Sequence, residues 1–176
     1  WLSVMIFALY VAVEMTTGLW ATSILVESRG LPLEDAGLCS AAYYGSITVG
    51  RISVGFVVER WGNRRLITGG ALLAIVGAAL FAFANTIPFA AVALITLGFG
   101  FAPIYPGLMH EVPRRFAPAA VQVVIGRQSG GAAVGAALLP AAAGALANFS
   151  LESIAWAVIG GVIMLALAIR RLDRVS

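Results

Sequence analysis

Three charged side chains, Glu14, Arg51 and Arg127, stand inside long apolar stretches of this sequence. An ionised group in bilayer hydrocarbon costs at least a few kcal/mol, so such a residue must face a protein interior or a water-filled cavity. Helical spacing puts Tyr10, Thr17 and Gly18 on the face of Glu14, giving an acid, a phenol, a hydroxyl and a gap in one stripe. Two roles fit the carboxylate. It carries a proton or binds a ligand, or it is structural, neutral or paired with an Arg that ties two helices together. Arg127 lies about 8 residues into its apolar run and Glu14 about 12 into its own, a depth difference of about 6 Å that an Arg can cover. A Glu14–Arg127 ion pair is therefore expected as one possibility. In the functional version Arg127 and Gln128 present directional donors to a hydroxylated or anionic solute. In the other, Arg127 snorkels toward headgroups. Tyr105, between Pro103 and Pro106, is placed to line a cavity, and the pair Tyr43 and Tyr44 either does the same or belongs to the core or an interfacial aromatic belt.

The elements that must position these groups follow from composition. Of 176 residues, 61% are hydrophobic and 11% charged, mean hydropathy is +0.98, and a soluble domain carries about 25% charged residues. The apolar excess must face lipid. Spans of about 20 residues divide the chain into six helices, near 2–26, 35–58, 66–84, 89–110, 119–146 and 152–170, with breaks at 28–30, 61–63, 85–88, 113–118 and 148–150. The fold class is all-α, a polytopic membrane protein. Gly126/Gly130 and Gly131/Gly135 allow close helix approach, while Pro103, Pro106 and Pro140 predict bent helices.

All eleven basic residues are Arg. Arg60, Arg64, Arg65, Arg114, Arg115, Arg170, Arg171 and Arg174 fall on one side of the six-span arrangement, and Arg29 stands alone on the other with Glu27, Glu34 and Asp35. Positive charge accumulates in cytoplasmic loops, which predicts cytoplasmic N- and C-termini. The chain opens on Trp1 with no basic flank, so an upstream portion is expected to be missing. The abundance of Ala and absence of Lys suggest a GC-rich bacterial gene, hence a bacterial inner membrane.

The same residues exclude other classes. Arg clusters between apolar runs fit a membrane better than nucleic acid. With one Cys and one His, a Cys/His metal site cannot form, and no cofactor is expected. There is no His-Glu-x-x-His helix, no Gly-x-Ser-x-Gly elbow and no Walker loop, so no enzyme is expected. Glu111 and Arg115 would pair at i,i+4 if a helix continued there, but Pro113 is expected to end it.

The stretch Gly55-Phe56-Val57-Val58-Glu59-Arg60-Trp61-Gly62-Asn63-Arg64-Arg65 resembles the signature loop of the major facilitator superfamily. Glu59 stands for the more usual Asp, and Asn63 where a basic residue is common, a relaxed form typical of the C-terminal copy. Gly55 would let another helix pack closely, and Glu59 would accept charge-assisted bonds from Arg residues or a helix N-terminus, latching the cytoplasmic side. Arg51 and Glu111 join Gly55, Glu59, Arg60, Gly62, Arg64 and Arg65 in the gate set. The segments Tyr10–Glu14 with Gly18-Leu19-Trp20, Gly50–Gly55, Gly98–Pro106, and Ile125–Gln128 with Gly135–Pro140 resemble the seventh, eighth, tenth and eleventh helices of fucose-permease-like members.

The resemblance implies helices seven to twelve of a twelve-helix transporter. Its partners would be a small solute, protons as coupling ion, the lipid bilayer and an N-terminal six-helix half. It implies alternating-access transport of a sugar or related polar metabolite, with Glu14, Tyr10, Thr17, Tyr105, Arg127 and Gln128 at the solute or proton site. In relatives the main proton-coupling acid often belongs to the N-terminal half. Efflux of amphipathic solutes by the same fold, or a non-transporting structural or signalling subunit, are the rival readings.

Overall fold

Inside a bilayer every backbone amide must be bonded within its own segment, which leaves helices as the solution for apolar runs of this length. The computed structural model describes residues 1–175, and all regular structure among them is helical. The helices are α1 (Leu2–Ser23), α2 (Leu33–Trp61), α3 (Asn63–Ala82), α4 (Ile87–Phe101), α5 (Ile104–Arg115), α6 (Pro118–Ala147) and α7 (Glu152–Val175). A π turn, Ile24–Ser28, extends α1. Taking α4 and α5 together, six segments are long and apolar enough to cross a membrane.

The expected boundaries hold to within a few residues except near prolines. The fourth span is two helices, broken between Phe101 and Ile104 at Ala102-Pro103. Its second half continues through Pro113 to Arg115, so the expected stop at Pro113 is corrected, and the break falls at 116–117. Proline deletes one amide bond. Here it removes the bond to the Met109 carbonyl close to the end of α5, where Met109 is only half-buried. Pro118 then starts α6, where its missing N–H costs nothing. Between α2 and α3 the only residue outside a helix is Gly62, at φ 80°, a conformation that glycine adopts without strain.

Small residues decide which helices touch. A methyl group at Gly77 would strike the Leu97 backbone, and one at Gly100 the Ala74 backbone, so α3 and α4 pack at backbone distance. Gly135 lies against the Ala8 carbonyl and Gly131 against Val4, which seats α6 on α1. The neighbouring pair Gly126 and Gly130 faces open space instead. α7 packs on α1 and α3, α2 packs on α4, and α4 is the core helix, with Leu94, Leu97 and Phe101 fully buried. α2 and α6 keep broad apolar faces uncovered, among them Ile52, Phe56, Val134 and Leu138.

The lone Arg on the acidic side has a structural task. The Arg29 side chain is 4% exposed and pairs with Glu152 at 2.7 Å. Its Nη1 donates to the carbonyls of Phe81 (2.6 Å) and Ala84 (2.9 Å), and its guanidinium lies 5.0 Å from the Phe81 ring centroid. A cation thus caps the carbonyl end of α3, where the helix dipole favours it, and joins α1, α3 and α7.

Candidate functional site

α1 and α2 form an antiparallel hairpin, so residues about equally far from its open end, at Leu2 and Trp61, come to a similar depth. The pair brought together is Glu14 and Arg51. Arg51 Nη2 lies 3.2 Å from both carboxylate oxygens of Glu14 and donates at 3.0 Å to the Tyr10 phenol oxygen. Tyr10 in turn donates to Glu14 Oε2. Both carboxylate oxygens and the phenol thereby share one guanidinium nitrogen, the kind of pairing that lets a charge stand in an apolar setting. The Glu14 side chain is 12% exposed and that of Arg51 39%, so the pair forms one lip of an open face.

Aromatic rings enclose the junction. The Arg51 guanidinium lies 5.3 Å from the Tyr105 ring centroid, a cation–π arrangement. Tyr105 is placed there by the break before α5 and packs on Phe7 at 4.9 Å. Tyr10 meets Phe101 edge-on at 5.8 Å, and Tyr43, fully buried, donates to the Glu14 carbonyl at 2.9 Å. Tyr44 occupies the gap read at Gly18, where a methyl group would collide with its phenol. The result is an exposed guanidinium beside a largely buried carboxylate, with Tyr44 and Tyr105 partly exposed at the rim and Tyr10 and Tyr43 buried beneath.

The remaining sequence candidates lie elsewhere. The depth argument for a Glu14–Arg127 pair is corrected: Arg127 stacks over Trp1 at 5.2 Å, while Arg51 holds Glu14. Gln128 is fully buried and donates to Ser3 at 2.6 Å, with its Oε1 unpartnered. Thr17 is buried and its hydroxyl donates to the Val13 carbonyl at 2.9 Å. Sequence reasoning passed over Arg51 as the partner. The signal was present, because the position of Arg51, about 15 Å above the end of α2, matches that of Glu14, about 18 Å along α1.

At the Arg-rich end the gate set divides. Arg115 Nε and Glu111 Oε2 are 3.0 Å apart, the i,i+4 pair that an unbroken helix allows. Asn63, in the place of a common basic residue, donates to Glu111 Oε1 (2.7 Å) and to the Gly107 carbonyl (2.8 Å), bridging α3 to α5. Glu59 lines a cavity of about 340 Å³ with Gly62, His110 and Arg114. Arg60, Arg64 and Arg65 are exposed. No atom lies within 4 Å of a methyl group placed on Gly55, so within this chain the close packing expected there is absent. Among the described residues there is no group of three His, Cys, Asp or Glu side chains that could hold a metal.

Comparison with known proteins agrees with this architecture. A segment of 53 residues, 30% of the chain, is 38% identical to Bypass of stop codon protein 6 of Saccharomyces cerevisiae and covers 11% of that protein's length. Residues 2–175 match the Major Facilitator Superfamily as a family. Six apolar helices, a fold that fits half of a major facilitator bundle and a family match along almost its whole length make this chain a member of the major facilitator superfamily and an integral membrane protein.

Proposed function

We propose that these six helices are one half of an alternating-access transporter of a small polar solute, a sugar or similar hydroxylated metabolite, with protons as the coupling ion. The observation that carries the reading is the Arg51–Glu14–Tyr10 junction, a charged group midway along an apolar helix and open on one side to a face bordered by tyrosines. Halves of this kind are related by an axis along the membrane normal, with solute between them, and the uncovered faces of α2 and α6 are where a second half would pack.

In this mechanism the Glu14 carboxylate and the solute compete for the Arg51 guanidinium. With Glu14 ionised, its attraction holds the Arg51 guanidinium. A proton on Glu14 removes that attraction and turns the carboxyl into a donor, releasing Arg51 to bond solute hydroxyls against the Tyr105 ring. Return of the proton to the other side restores the pair and expels the solute. The Asn63–Glu111–Arg115 cluster closes the Arg-rich end, which we assign to the cytoplasm from the distribution of charge.

The test is uptake of labelled sugars into proteoliposomes holding the full-length protein. Glu14→Gln should abolish uptake or leave it independent of pH; an unchanged rate and pH profile would overturn the reading.

A further inference from the structure

A second cavity lies on another side of α2, away from the junction. It has a volume of about 510 Å³ and runs between α2 and α3, floored by Phe99, Ala102 and Pro103 at the break between α4 and α5. Gly50, Val54 and Val57 form one wall, Gly69, Gly70 and Leu73 the other. Its lining is almost entirely carbon. Ser53 is a polar exception, and its hydroxyl is already spent on the Val49 carbonyl at 2.8 Å. Away from Arg65 and Trp61 at its mouth such a groove has no groups with which to recognise a sugar, and it continues into exposed apolar side chains of α3, Leu72, Leu73 and Val76, a surface for lipid.

Length and charge identify the occupant. From Trp61 at one end to Gly50 at the other, the groove follows twelve residues of α2, eleven steps or about 16 Å at 1.5 Å per residue. The hydrocarbon of one leaflet is about 15 Å deep, half of a ~30 Å core. At its mouth stand Arg65 and Trp61, with Arg60 and Arg64 on the same short stretch of chain. An indole favours the headgroup level, and a basic pocket between helices suits a lipid phosphate. We propose that this groove binds an anionic phospholipid, one acyl chain lying along Gly69 and Val57 and the phosphate held by Arg65. Phosphatidylcholine has no net charge and would bind less well.

The proposal is tested on the full-length protein by native mass spectrometry after titration with palmitoyl-oleoyl phosphatidylglycerol or the matching phosphatidylcholine. The parent should retain one phosphatidylglycerol at concentrations where phosphatidylcholine is lost. Gly69→Phe fills the groove from a position with open space around it, and Arg65→Gln removes the charge; each should lower retention at least fivefold. Loss with Arg65→Gln but not with Gly69→Phe would place the lipid on the basic loop alone and overturn the groove. Equal retention of the two lipids would overturn the role of charge. A variant-free check uses phosphatidylglycerol with a photoreactive acyl chain on the parent protein. Crosslinks should map to 50–61, 66–73 or 99–103, and crosslinks confined to other helices would sink the proposal.

Discussion

Arg51 reaches across from α2 to place one guanidinium nitrogen 3.2 Å from each carboxylate oxygen of Glu14 on α1. The same nitrogen bonds the Tyr10 phenol, so a single donor group gathers an acid and a phenol one helical turn apart. Removal of any one member leaves the others short of a partner in an apolar setting.

That dependence makes the junction measurable by a double-mutant cycle. Arg51→Ala leaves the Glu14 carboxylate unpaired and should lower thermal stability in detergent and reduce uptake at least tenfold. Adding Glu14→Gln to Arg51→Ala should return the stability, because no charge is then stranded, without returning transport. Additive losses of stability in the double variant would mean that the two side chains do not interact.

The opposite end of the bundle should respond through stability alone. Removing one member of a buried pair costs about 3 to 5 kcal/mol, and Glu152, with a side chain 35% exposed, belongs near the lower value. Glu152→Ala strands the buried Arg29 and should lower the unfolding temperature more than Glu152→Gln, which retains an acceptor for Arg29 and Ser28. Equal unfolding temperatures for parent and Glu152→Ala would refute the clamp.

Packing of α6 on α1 separates two glycines of the same helix. Gly135→Val forces side-chain carbon into the Ala8 carbonyl and should cost about 1 to 3 kcal/mol or more, as overpacking does. Gly130→Ala meets open space and should stay within about 0.5 kcal/mol. Thermal unfolding of the two variants decides the matter, and a larger loss at Gly130 would reverse the assigned face.

Asn63 links α3 to α5 through Glu111 and Gly107. Asn63→Ala should open the Arg-rich end, raising severalfold the labelling rate of a cysteine placed at His110, which lines the cavity there. Asn63→Asp sets a carboxylate against Glu111 and should open it further. Labelling equal to that of the parent in both variants would show that the cluster does not close this end.

The spans were legible because each apolar run is bounded by residues that act on the backbone directly: 119–146 was expected and Pro118–Ala147 is found. Charge counts likewise marked Arg29 as the exception on its side, yet its service to three carbonyls and Glu152 depends on where α3 ends in space, which linear order does not state. Pro113 misled because proline's penalty depends on whether the freed carbonyl has other partners. The acid at the site was visible in Glu14, whereas its partner was sought by depth among all helices, when the short connection between α1 and α2 already favoured Arg51. Thr17 sat on the right face by spacing, but its hydroxyl turned back to its own helix, as Thr in an apolar helix readily does.

The interruption at Ala102-Pro103 makes α5 a lever. Above it, α4 is fixed on α3 at backbone contact; below it, one rod carries Tyr105 beside Arg51 near its pivot and Glu111 near its tip. From Pro103 to Arg115 that rod is about 18 Å long, so a tilt of about 10° would displace its tip by about 3 Å. Glu111, about 12 Å along the rod, would move by about 2 Å, enough to part its 2.7 Å bond from Asn63 on α3, while its 3.0 Å pair with Arg115 lies within α5 and travels with the rod.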